Sequence, residues 1–151
     1  EKINELLNNK NLLNYLEEKD IYLKVYVHQL MQDKIKLVGN SRVIILDKNT
    51  NITEQLLMSN ILITDYSSVA YDFYFMKKVI FYQFDQEQYQ LEIGSYVDLN
   101  NLFGDVVFSA DDVVNSILSD REIEYDRYFK YVDNKNCDRL YNRILKEVYN
   151  G

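Results

Sequence analysis

Residues 61–84 read ILITDYSSVAYDFYFMKKVIFYQF, and the fold turns on how this stretch is parsed. Ile61-Leu62-Ile63-Thr64 is apolar and β-branched, the pattern of a short buried strand. Asp65-Tyr66-Ser67-Ser68 supplies residue types that open a helix. Val69, Phe73 and Met76 then recur at helical spacing, so the spacing predicts a helix over residues 69–77. Val79-Ile80-Phe81-Tyr82 reads as a second buried strand. The unit is β-turn-α-β, with two adjacent hydroxyls where the helix begins. The first N–H groups of a helix lack carbonyl partners, and the dipole there favours an anion. Ser67 and Ser68 therefore have two readings. One serine caps the helix while the other is solvated, or both donate to a bound phosphate.

The run Thr64-Asp65-Tyr66-Ser67-Ser68, with Asp72-Phe73 beyond it and the following strand ending in Tyr82-Gln83-Phe84-Asp85, resembles the signature of the CDP-glycerol glycerophosphotransferase family. These are the teichoic acid polymerases and primases and their capsule-assembly relatives. The resemblance implies a Rossmann-like, mostly parallel sheet with helices on both faces. It places that domain as the C-terminal, donor-binding half of a GT-B glycosyltransferase-like enzyme. It is dense over residues 57–85 and looser across the rest of residues 20–150.

The 151 residues suffice for one domain with a real core, and a 47% hydrophobic content suits a folded chain. No apolar run approaches the roughly 20 residues of a membrane span. The single cysteine, Cys137, excludes an internal disulfide framework and fits a reducing compartment. A net charge of -7 argues against nucleic acid as a partner, since binding its backbone needs clustered cations. It leaves room for a local anion pocket built from backbone N–H groups. The chain opens without methionine, directly in a helical pattern, and reads as a fragment of a longer two-domain chain.

Ile3, Leu6, Leu7, Leu13 and Leu16 predict one helix over residues 2–18. Five strands are expected at 22–27, 42–47, 61–65, 79–83 and 106–108. Alternation with helices makes them largely parallel and covered on both faces. Residues 53–59 read as a short helix with Leu56, Leu57 and Met58 inward, and Asn60 as a turn residue. Ser109 with Asp112 forms a capping box for a helix carrying Val113, Val114, Ile117 and Leu118. Leu140, Ile144 and Val148 mark a closing helix over residues 136–148.

The first strand leads to His28, the lone histidine, and ligands bind at the carboxyl ends of strands in such sheets. Relatives of the resembling family carry His-Pro there, and this chain has His28-Gln29. By that resemblance His28 is the catalytic candidate, helping neutralise the leaving CMP. The same resemblance makes Ser67 and Ser68 the candidate donor-phosphate ligands. Asp85 either holds a ribose or polyol hydroxyl or forms a turn, and Asp65 is better read as orienting its turn than as a hydroxyl ligand. An arginine-glycine-aromatic segment common in polymerase-type members is replaced by Leu91-Glu92-Ile93-Gly94-Ser95-Tyr96.

The implied activity is transfer of glycerol phosphate, or a similar polyol phosphate, from CDP-glycerol or a related CDP-polyol to a polymer or lipid-linked acceptor. Two other readings stand beside it: a GT-B nucleotide-sugar glycosyltransferase on the same scaffold, and a non-catalytic degenerate domain. No metal site and no cofactor are expected, and the general base would come from an N-terminal acceptor domain. The resemblance further implies a cytoplasmic enzyme at the inner face of the cell membrane, peripherally associated.

Overall fold

The computed structural model describes residues 2–27, 40–73, 77–119 and 128–149. The chain divides into two compact units, Glu1–Arg121 and Glu122–Gly151.

The first unit is α/β. Its elements are α1 (Lys2–Leu7), α2 (Lys10–Glu18), β1 (Leu23–Val25), β2 (Val43–Ile45), α3 (Ile52–Met58), β3 (Ile61–Thr64), α4 (Val69–Phe73), β4 (Lys78–Tyr82), α5 (Gln86–Glu92), β5 (Asp105–Val107) and α6 (Ala110–Leu118). All five expected strands form, and every strand pair is parallel. Among the described residues they lie in a two-stranded sheet, β1-β2, and a three-stranded sheet, β3-β4-β5. Ile61 pairs with Lys78 and Thr64 with Phe81, while Ile80 pairs with Asp105 and Tyr82 with Val107.

The central strand β4 is an apolar run because both its faces are covered. Side chains alternate along a strand. Ile80 and Tyr82 join Leu6, Leu7, Leu12, Leu16, Val107, Val113 and Val114 in the main core, under α1, α2 and α6. Phe81 lies on the opposite face, edge-on to Phe103 at 5.2 Å, with Tyr71 of α4 against Phe103 at 5.0 Å. Ala70 and Phe73 anchor α4 with no exposed surface. The helix carrying the serine turn is thus pinned by its own next residues.

Two expectations are corrected. The single helix over residues 2–18 is two helices. Asn9 sits in an extended conformation and its side chain caps α2, accepting from the N–H groups of Asn11 and Leu12. A capping side chain inside a helical pattern competes with the helix and restarts it. The restart shifts the phase, so Leu12 becomes the most buried residue of α2. In α3, Leu57 and Met58 are 54% and 72% exposed rather than inward. Three consecutive residues span more than half a helical turn, so they cannot share one face. Residues 86–92, for which the sequence pattern names no element, form α5. Ser109 caps α6 as expected: its hydroxyl accepts from the Asp112 N–H at 3.1 Å and donates to the Asp112 carboxylate at 2.6 Å. Met76 lies outside the described residues.

In the second unit, α7 (Asn136–Tyr149) spans the expected closing helix. Arg139 pairs with Asp133, donates to Asn136 at 2.7 Å and lies 3.8 Å over the Tyr131 ring. That hydrogen bond from Arg139 holds the Asp133 carboxyl below the usual carboxylate range. Among the described residues no helix is long and apolar enough to cross a membrane.

Candidate functional site

Parallel pairing puts the carboxyl ends of β3, β4 and β5 along one edge of the sheet. Chain leaving β3 enters the turn Asp65-Tyr66-Ser67-Ser68, and chain leaving β4 enters Gln83-Phe84-Asp85. Adjacent strands thereby bring together segments nearly twenty residues apart.

Ser67 and Ser68 are both exposed. The Ser67 hydroxyl accepts a long hydrogen bond, 3.4 Å, from the Val69 N–H. Its carbonyl accepts from Ala70 at 3.3 Å, and the Ser68 carbonyl accepts from Tyr71 at 3.0 Å. The turn is therefore a weak cap on α4 with a second hydroxyl open to solvent. The same arrangement leaves two adjacent donors for an anionic oxygen.

Asp85 is brought to this turn by Tyr66. The Tyr66 hydroxyl donates to Asp85 Oδ1 at 2.8 Å, and its ring stacks on Tyr89 with centroids 3.6 Å apart and planes 10° from parallel. Asp85 and Tyr89 are four residues apart and meet Tyr66 on one face of α5. Desolvation, then the Asp85 hydrogen bond, pushes the Tyr66 phenol well above its ordinary range, so it stays protonated as a donor. Asp85 holds the N-cap position of α5 but makes no side-chain cap bond. Asp65 is exposed beside this group, and its charge adds to the Tyr66 shift. His28 lies outside the described residues.

Two carboxylates at this edge suit hydroxyl ligands better than phosphate, because an ionised carboxylate only accepts hydrogen bonds. Serine hydroxyls and backbone N–H groups suit phosphate. The turn thus carries both kinds of partner that an activated polyol phosphate presents.

Reading the sequence for site residues missed Tyr66 and Gln83. Tyr66 stood inside the quoted signature, where its ring is indistinguishable from a core aromatic. Gln83 is fully buried just beyond β4. Its side-chain Oε1 accepts from the Gln86 side-chain Nε2 at 2.9 Å, while its own side-chain Nε2 has no partner among the described residues. No sequence signal separates such a glutamine from a solvated one. Elsewhere, a hollow of about 440 Å³ lies between β5 and α6, lined in part by Asp105, Asp112 and Ser116. Its Asp105 carboxylate is already engaged by Ser116 and Lys78.

Comparison with known proteins places these features in a family. Residues 1–146 match the family model described as CDP-glycerol:poly(glycerophosphate) glycerophosphotransferase. The chain is 30% identical to the minor teichoic acid biosynthesis protein GgaB of Bacillus subtilis, covering 96% of this chain and 17% of that protein. It is 31% identical to the teichoic acid glycerol-phosphate primase of B. subtilis, covering 89% of this chain and 37% of the primase. Among solved structures, the wall teichoic acid polymerase TagF superposes with a TM-score of 0.69 at 21% identity, over 96% of this chain and 38% of TagF. A TagF variant with CDPG superposes at 0.67. The chain thus spans well under half of each of these relatives. The likeness to TagF bears out the expected fold, a Rossmann-like α/β arrangement of GT-B type.

Proposed function

The chain belongs to the CDP-glycerol:poly(glycerophosphate) glycerophosphotransferase family, and on that premise we propose that it is the donor-binding domain of an enzyme that moves glycerol phosphate, or a similar polyol phosphate, from a CDP-activated donor to a hydroxyl of a wall or capsule polymer. The observation that carries this reading is the family match across the whole first unit together with the exposed serine pair at the carboxyl edge of its sheet.

In this reading an acceptor hydroxyl oxygen attacks the phosphorus that bears the polyol. The new P–O bond forms as the bridging P–O bond to CMP breaks, and CMP leaves with the electron pair. The hydroxyl proton goes to a base supplied by an N-terminal acceptor domain. Ser67 and Ser68 hold the diphosphate, and His28 helps neutralise the departing CMP. The unengaged oxygen of Asp85 accepts from a ribose or polyol hydroxyl, while Asp65 orients the turn. Positioning and charge stabilisation carry most phosphoryl-transfer catalysis, so such a cradle is enough on the donor side. The proposed setting is the cytoplasmic face of the cell membrane, where a lipid-linked or polymeric acceptor is presented.

Calorimetric titration with CDP-glycerol, CDP-ribitol, CMP and UDP-glucose tests this. The expected result is cytidine-selective binding, weakened by about 1–3 kcal/mol in the Ser67→Ala/Ser68→Ala variant, the scale of hydrogen bonds to charged groups. Folding stability of that variant should fall by less than about 2 kcal/mol, the upper range for a lost cap. Wild-type-like binding by the double variant would refute the phosphate cradle, and uridine preference would move the assignment to a sugar transferase.

A further inference from the structure

We propose that Tyr66 is a positioning residue: it ties the Ser67–Ser68 turn to Asp85 so that the serine hydroxyls and one Asp85 oxygen face the same donor molecule. This rests on the donor-binding reading above and deepens it.

The serine turn has little of its own to hold it. Both serines are exposed, and among the described residues the only side-chain bond within the turn is the 3.4 Å contact to Val69. Tyr66, immediately before Ser67, makes a two-point attachment to α5, through the 2.8 Å bond to Asp85 and the 3.6 Å stack on Tyr89. Planar stacking fixes the ring in a plane, and the hydrogen bond fixes its rotation within that plane. The backbone from Tyr66 to Ser68 is then held at one end by this ring and at the other by buried Ala70 and Phe73.

Asp85 shows the cost of the arrangement. It is a preferred N-cap residue type standing at the N-cap of α5, yet its carboxylate makes no bond to that helix. Its Oδ1 is taken by Tyr66 instead. Residues that break a local rule tend to mark functional sites. The bond also orients the carboxylate, leaving Oδ2 as the oxygen presented to a hydroxyl. A loosened turn would spread the serines over several orientations and forfeit the benefit of a preorganised site.

The test is a double-mutant cycle on CDP-glycerol binding in the intact protein, using Tyr66→Phe, Ser67→Ala/Ser68→Ala and their combination. Tyr66→Phe keeps the ring stack and removes only the hydroxyl. If Tyr66 acts through the serines, it weakens binding about tenfold alone and less than about twofold in the serine-free background. Amide hydrogen exchange of residues 67–70 should quicken in Tyr66→Phe while β4 stays protected, which keeps the inference testable whatever the change in affinity. An equal loss in both backgrounds, or unchanged exchange in the turn, would overturn the positioning role and leave the donor-binding reading intact. No CDP-glycerol binding by the wild-type protein would overturn that reading and this inference with it.

Discussion

Replacing Lys78 with methionine isolates the interaction that locks α6 to the sheet. Lys78 opens β4, and its ammonium donates to the Ser116 carbonyl, to the Ser119 carbonyl at 2.7 Å and to the Ser119 hydroxyl at 2.9 Å. It also lies 3.6 Å from Asp105 Oδ2, with the two side chains 18% and 14% exposed. Asp105 Oδ2 in turn accepts from the Ser116 hydroxyl at 2.5 Å. One cation thus binds carbonyls at the C-terminal end of α6, where the helix dipole favours positive charge, and faces a mostly buried carboxylate. Breaking a fully buried pair from one side costs about 3–5 kcal/mol, because the remaining charge is stranded. The residual exposure lets water recover part of that, so the expected loss for Lys78→Met is about 2–3 kcal/mol. Urea unfolding should show a lower midpoint at unchanged slope, because the surface exposed on unfolding barely changes. Adding Asp105→Asn removes the charge that faced Lys78, so the double variant should lose less than the two single losses summed, a coupling that separates electrostatics from lost packing. A Lys78→Met variant within about 0.5 kcal/mol of wild type, the range of an ordinary surface substitution, would refute the reasoning.

Two further outcomes follow from close approach and from burial. Gly104→Ala should cost about 2–3 kcal/mol in the same urea assay, because a Cβ there would meet the Val79 carbonyl oxygen at 2.3 Å, a backbone atom that cannot rotate away. Wild-type stability in that variant would mean the β4–β5 approach is looser than described. The second concerns alkaline pH. Desolvation raises the phenols of Tyr66 and Tyr82 above their ordinary value, so the folded state keeps protons that the unfolded chain releases near pH 10. Their contribution to stability is complete below that pH and is lost as pH rises toward the folded values. The urea midpoint should fall with pH above about 10 in wild type and less steeply in Tyr66→Phe/Tyr82→Phe. Equal slopes would refute the assignment.

The parts of this protein legible in sequence are those encoded over a few neighbouring residues. Val79-Ile80-Phe81-Tyr82 is apolar on both faces because it forms the middle strand of a parallel sheet, and that run is visible without coordinates. Ser109 three residues before Asp112 is a local capping signal, and α6 starts there. Asn8-Asn9, by contrast, sits inside an apolar stripe that continues across it, so the break between α1 and α2 did not show. The polar run of α5, QEQYQLE, has no core face from which to read a helix.

By itself, then, the sequence determined the β-turn-α-β unit, the five strands and the family signature that puts Ser67 and Ser68 in a turn. Hydrophobic periodicity and capping chemistry act between near neighbours and leave their mark on the order of residues. Only the tertiary structure decided that Tyr66 and Asp85, 19 residues apart, share a hydrogen bond, that Tyr89 stacks on the same ring, and that Lys78 closes α6. Those contacts exist because parallel pairing sets β3, β4 and β5 side by side with their carboxyl ends at one edge, and nothing in the spacing of single residues records which loops that pairing brings together.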